Sequence, residues 1–230
     1  MNKKALITIS TLVLGGVAQA NLVAYWNFNS LATTAGLPNN ANVTAYAPST
    51  GAGSIDLVGW TSRAGTTAPH GISNFGGSTI NAISPDPAGQ SLALQAGTTA
   101  IANNGASLVI SFSMAGLQDA IVTFATQRTS TGFNANQVAY STDGVSYTNF
   151  GSAVNPATAF ALQTIDLTGI TALTNDSSVF VKITFTGATS ASGNNRVDNV
   201  QVNATTAVPE PGTLAALGLG AAAVLRRRKK

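Results

Sequence analysis

Along most of the chain, apolar residues alternate with small polar ones. In residues 178–186 (SVFVKITFT), Val179, Val181, Ile183 and Phe185 fall on one face, while Lys182, Thr184 and Thr186 fall on the other. That period of two is what a half-buried strand requires. Leu108, Ile110 and Phe112 repeat it against Ser107, Ser111 and Ser113. The same reading predicts strands over Leu22–Phe28, Ser54–Val58, Ser91–Gln95, Ala120–Gln127, Gln137–Ser141, Ser146–Phe150, Phe160–Leu167 and Arg196–Asn203. Asp143-Gly144, between Tyr140 and Tyr147, suits a type I′ hairpin. Only Thr168–Asn175 suggests a helix, of one or two turns.

About ten short strands with no helical period predict an all-β protein: an antiparallel two-sheet β-sandwich, jelly-roll-like. No internal repeat is visible, which argues against a propeller or β-helix. Abundant Thr, Ser, Asn and Gly with few charges would also suit a disordered chain, but the apolar residues are in register with the strands. At 230 residues, one sandwich spanning 21–205 is the simplest organisation.

Both ends depart from this pattern. Met1-Asn-Lys-Lys, an apolar run from Ala5 to Val17 and Ala18-Gln19-Ala20 form the three zones of a secretory signal peptide over 1–20. The alternative is a buried N-terminal helix, which leaves the lysines and the Ala-x-Ala spacing without a cause. At the other end, residues 206–230 hold Pro209-Glu210-Pro211, then 14 uncharged and mostly apolar residues from Gly212 to Leu225, then Arg226, Arg227, Arg228, Lys229 and Lys230. A comfortable membrane span needs roughly 17 to 25 residues, so this short apolar helix is a marginal transmembrane segment. The five cations act as its cytoplasmic stop. The two prolines keep Glu210 extended and open to a processing enzyme. The tail acts either as a temporary stop that is then removed or as a small anchor that stays in place.

The order of Pro-Glu-Pro motif, short span and basic cluster resembles the PEP-CTERM sorting signal of Gram-negative bacteria. The resemblance implies an exosortase as partner, transient attachment to the inner membrane, removal of the tail, and delivery to the cell surface or to an exopolysaccharide or biofilm matrix.

The charges change the picture in one respect. The net charge is +3 and the pI about 9.5, yet the cations crowd the two ends. Between the end segments only Arg63, Arg128, Lys182 and Arg196 face seven aspartates, a net charge of −3. Nucleic acid is therefore excluded as a partner, because counterion release needs clustered Lys and Arg. With no cysteine, disulfides, thiolate metal sites and cysteine nucleophiles are excluded as well.

Candidate chemistry is sparse. The single histidine, His70, sits in a loop sequence without a nucleophile elbow, and the region between the two end segments contains no glutamate. A glycosidase needs a close carboxyl pair, for which Asp166 and Asp198 are the aspartates without an evident local duty. Asp198 with Asn199 offers oxygen ligands for a candidate calcium ion. The alternative, and the simpler one, is that Arg196 and Asp198 form a surface ion pair on an edge strand. Trp60 and Tyr140 are the candidate ligand-contacting aromatics, although a Trp at a strand end more often caps the core. Ala24-Tyr-Trp-Asn-Phe28, Leu108–Leu117, Val138–Gly144 and Arg196-Val-Asp-Asn-Val200 together resemble a jelly-roll module of secreted bacterial proteins. That resemblance implies carbohydrate-binding topology and, in some sheets, a structural calcium beside the last strand. The reading that results is an exported, non-catalytic, structural or adhesive surface protein with carbohydrate contact; the alternative is an extracellular polysaccharide hydrolase working through an aspartate pair.

Overall fold

The computed structural model describes residues 20–30, 33–34, 37–38, 45–61, 72–97 and 102–207. The signal segment, the sorting tail with its apolar run, Arg63 and His70 lie outside the described residues. The described residues belong to one compact unit, Ala20–Ala207.

The strands in chain order are β1 (Ala20–Trp26), β2 (Thr33–Thr34), β3 (Leu37–Pro38), β4 (Ala45–Tyr46), β5 (Thr50–Gly51), β6 (Ser54–Val58), β7 (Ile72–Gly76), β8 (Gln90–Gln95), β9 (Ser107–Phe112), β10 (Leu117–Arg128), β11 (Ala135–Ser141), β12 (Thr148–Val154), β13 (Ala161–Asp166), β14 (Val179–Thr186) and β15 (Asn194–Thr206). The predicted helix reduces to a single 3₁₀ turn, Thr171–Leu173. One sheet runs β13-β10-β15-β1-β5, with β8 also beside β15 and β7 beside β8; the other runs β12-β11-β14-β9-β6-β4. All of these pairings are antiparallel, as expected for a sandwich, while β2 and β3 pair with each other.

The alternation noted in the sequence supplies the inner faces. Val179, Val181, Ile183 and Phe185 of β14 pack with Leu108, Ile110 and Phe112 of β9 and Ile55 and Leu57 of β6. Opposite them lie Ala24 and Trp26 of β1, Val122 and Phe124 of β10, and Val197, Val200 and Val202 of β15. Each buried indole is satisfied by a main-chain carbonyl, Trp26 Nε1 donating to Tyr46 O at 2.9 Å and Trp60 Nε1 to Ser107 O at 2.8 Å.

β15 is an interior strand, not the expected edge. One flank pairs with β10; the other pairs with β8 through residues 194–197 and with β1 through residues 200–205. At the change of partner, Asn199 takes a left-handed backbone, φ 49°, and the β10 register slips between Thr123 and Ala125. A bulge of this kind re-aims side chains, and here it re-aims Asp198 and Asn199. The β11–β12 connection also differs from expectation. It spans 142–147 rather than a two-residue turn, because the Asp143 carboxylate accepts the N–H groups of Val145 and Ser146 and the Ser141 hydroxyl, each at 2.8 Å.

Candidate functional site

The outward face of the six-stranded sheet follows directly from its register. One rung reads Ser141, Phe180, Ser111, Ser54 across the strands; the next reads Asn149, Ala139, Lys182, Val109, Asp56; the third reads Gln137, Thr184, Ser107, Val58. Neighbouring strands lie about 4.8 Å apart, so these side chains form a close grid. Ala139 and Val109 are buried even though they point outward. Tyr147, just before β12, lies beside them, its ring centroid 3.7 Å from Lys182 Nζ. Burial, with Asp143 and Asp56 nearby, raises the Tyr147 hydroxyl above its usual range.

Phe180 is half-buried on the same face. The 142–147 loop comes so close to it that a Cβ on Gly144 would meet the ring at 3.2 Å. Phe180 also lines an open groove of about 320 Å³, together with Gly53, Ser111, Ser113, Ser177 and Ser178. An aromatic ring edged by hydroxyls offers one stacking surface and several donors and acceptors.

The expected aromatics lie elsewhere. Trp60 is 5% exposed, its ring 5.8 Å from Phe133 and 5.7 Å from Phe185, so it closes the core rather than meeting solvent. Tyr140 pairs with Val181, which puts it on the inner face, half-buried and edge-on to Phe150 at 6.4 Å. Large apolar rings gain most by burial, and the partners of Trp60 are distant in sequence. On the outer face of the six-stranded sheet, Tyr147 and Phe180 flank Lys182; Phe180 stands two residues before Lys182 in β14, so the alternation of that strand already put it on the polar face.

Asp198 and Asn199 hold a strap, residues 77–89, against the outer face of the seven-stranded sheet. Asp198 is fully buried, and its carboxylate accepts the N–H of Ser78 at 2.7 Å and of Asn199 at 2.9 Å. Burial pushes this carboxyl up to about 7, against the pull of those two donors. The Asn199 amide nitrogen donates to the carbonyls of Ser78 at 2.6 Å and Ile80 at 2.9 Å, while its oxygen accepts the Tyr25 hydroxyl. Asn81 donates to Asn199 O, Gln201 donates to Asn81 O, and Asn27 donates to Asp86.

Calcium asks for six or more oxygens around one point. Both carboxylate oxygens of Asp198 already accept main-chain donors, and the point where the Ser78 and Ile80 carbonyls converge holds an amide nitrogen. This donor set does not fit calcium. Among the described residues no three His, Cys, Asp or Glu side chains gather. The ion pair with Arg196 does not form either, since Arg196 lies over the Phe75 ring at 4.9 Å and beside Gln127.

Asp166 and Asp198 are not brought together. Asp166 is opposite Ile121 and Asp198 opposite Ala125, on different flanks of β10 and four residues apart, about 13 Å along the strand. Glycosidase carboxyls stand roughly 5 to 9.5 Å apart. Asp166 is instead exposed, its carboxyl lowered by hydrogen bonds from the Thr168 side chain and backbone.

Among known proteins, residues 207–229 match the PEP-CTERM protein-sorting motif. The chain therefore carries a signal for export and exosortase sorting, within the stretch that contains Pro209, Glu210 and Pro211. No helix among the described residues is long and apolar enough to cross a membrane, and the tail lies outside those residues. No curated protein matches the chain. Among solved structures, the K3 cleaved adhesin domain of Lys-gingipain from Porphyromonas gingivalis W83 is 12% identical at a TM-score of 0.44, covering 80% of this chain and 99% of that one. A family 35 carbohydrate-binding module from an environmental isolate is 17% identical at 0.38, covering 66% and 94%. TmCBM61 in complex with β-1,4-galactotriose is 8% identical at 0.36, covering 57% and 81%. Likenesses this distant carry no ligand over to this chain.

Proposed function

We propose that this is a non-catalytic adhesive protein of the cell surface or extracellular matrix, freed from its membrane tail by an exosortase, and that it contacts glycan through the outer face of the six-stranded sheet. One observation carries the reading: two half-buried aromatics, Tyr147 and Phe180, stand among rungs rich in Ser, Thr, Asn and Gln on one face of the sheet. Sugars offer apolar C–H faces for rings and hydroxyls for such side chains. Weak single contacts become useful when many copies are displayed on one surface. A general acid, base or nucleophile must be tuned and placed beside its partner, and the aspartates weighed for that role are apart.

Purified protein should be retained on matrix polysaccharide from the producing bacterium and should release no sugar or peptide from a panel of polysaccharides and proteins. Turnover abolished by Asp166→Asn or Asp198→Asn would refute the non-catalytic half. Absence of retention on every polysaccharide tested would leave a passive structural component.

A further inference from the structure

We infer that the groove beside Phe180 is a subsite for a neutral sugar ring of a glycan chain, and that acidic polysaccharides are excluded from it. The inference rests on the glycan-contact reading above and adds the ligand class and the residues that select it. Every residue lining the groove is uncharged. Ser111, Ser177 and Ser178 contribute hydroxyls to which no hydrogen bond within the described residues is assigned, so each is free to donate to or accept from a sugar hydroxyl. Phe180 contributes the apolar ring, and Gly144 closes on that ring from the loop tip without a side chain of its own. Gly53 keeps the opposite wall low, since a Cβ there would stand 2.6 Å from Ser111 O.

The surrounding charge sets the class. Asp176 precedes Ser177, and its carboxylate accepts the Ser178 N–H at 2.9 Å. Asp143 lies at the tip that touches Phe180, and Asp56 lies on the next rung with Lys182. Three carboxylates and one ammonium border this side of the sheet, and that ammonium is already engaged with the Tyr147 ring. A uronate-bearing chain would bring like charge to this rim, whereas a neutral chain meets only hydroxyls and the ring.

The test is affinity electrophoresis of the full chain in detergent, through gels containing β-1,4-glucan, β-1,4-galactan or dextran as neutral probes and alginate or polygalacturonate as acidic ones. At least one neutral probe should retard the protein, and neither acidic probe should. Phe180→Ala should weaken the retardation by roughly tenfold or more. Ser178→Trp, which fills the groove from an exposed position, should do the same with an unchanged melting temperature, so a folding defect in the first variant does not decide the matter. Retardation by acidic probes alone overturns the inference but leaves glycan contact standing. Neutral binding that survives both variants and is lost in Tyr147→Ala also overturns it, moving the subsite to the Lys182 rung. Retardation by no probe overturns the inference together with the reading beneath it.

Discussion

Asp143 shows how one side chain fixes the geometry of a loop. Hydrogen bonds from the Val145 and Ser146 backbones and the Ser141 hydroxyl lower its carboxyl to about 2. A depressed carboxyl stabilises the folded loop above the unfolded value near 4, and that contribution is lost as pH falls through about 2. The protection of the Val145 and Ser146 amides relative to their intrinsic exchange rates should therefore fall between about pH 4 and pH 2, ahead of amides in β14; protection unchanged at pH 2 would refute the assignment. Trp60 and Tyr147 make the opposite pair. Trp60→Ala empties a site among Phe133 and Phe185 and should cost about 3 to 5 kcal/mol in chemical denaturation, whereas Tyr147→Ala removes a surface contact worth roughly 1 kcal/mol or less. The sequence left Trp60 poised between solvent and core, because Phe133 and Phe185 are more than seventy residues away along the chain. Local pattern says that a ring exists; the burial of that ring depends on distant strands.

At the scale of elements, the long strands were legible because each buries one face against a core and so must alternate. β6, β8, β9, β11 and β14 lie within a residue or two of their expected bounds, while β10 and β15 run longer than expected at both ends. The two-residue strands β2, β3, β4 and β5 left no trace, since two residues cannot display a period. The strap 77–89 was also invisible. Its hold comes from single polar groups on β1 and β15, and a hydrogen bond between residues some 120 apart has no signature in local sequence. The strap nevertheless rests on a clear steric requirement at Gly77. A Cβ there would collide with the Ala88 carbonyl oxygen and the Asp198 carboxylate. Gly77→Ala should therefore destabilise the domain by roughly 1 to 3 kcal/mol and expose Tyr25, which burial now holds at about 12. An unchanged denaturation midpoint would show that the strap contributes little.

For the whole molecule, the ends and the middle carry opposite charge. A polypeptide of residues 21–206 should be acidic and β-rich by circular dichroism, in contrast to the basic full chain; a basic isoelectric point or a helical spectrum would contradict this. In the producing bacterium, intact-mass measurement of surface protein should find chains ending near Pro209–Pro211, and replacing Pro209 and Pro211 by Ala should leave precursor in the membrane. Mature protein still ending at Lys230 would refute removal of the tail. The interior place of β15 has a consequence in time as well. β1 pairs Ala20 with Thr205, and β8 and β10 also need β15 beside them. Contacts of such sequence separation form late and must await the whole chain. A ribosome that stops early, anywhere before Arg196, yields a product lacking both the strand that completes the seven-stranded sheet and the signal that directs sorting. The strand that completes the sheet and the sorting motif follow one another directly in the chain, so a copy cut short before them loses both at once.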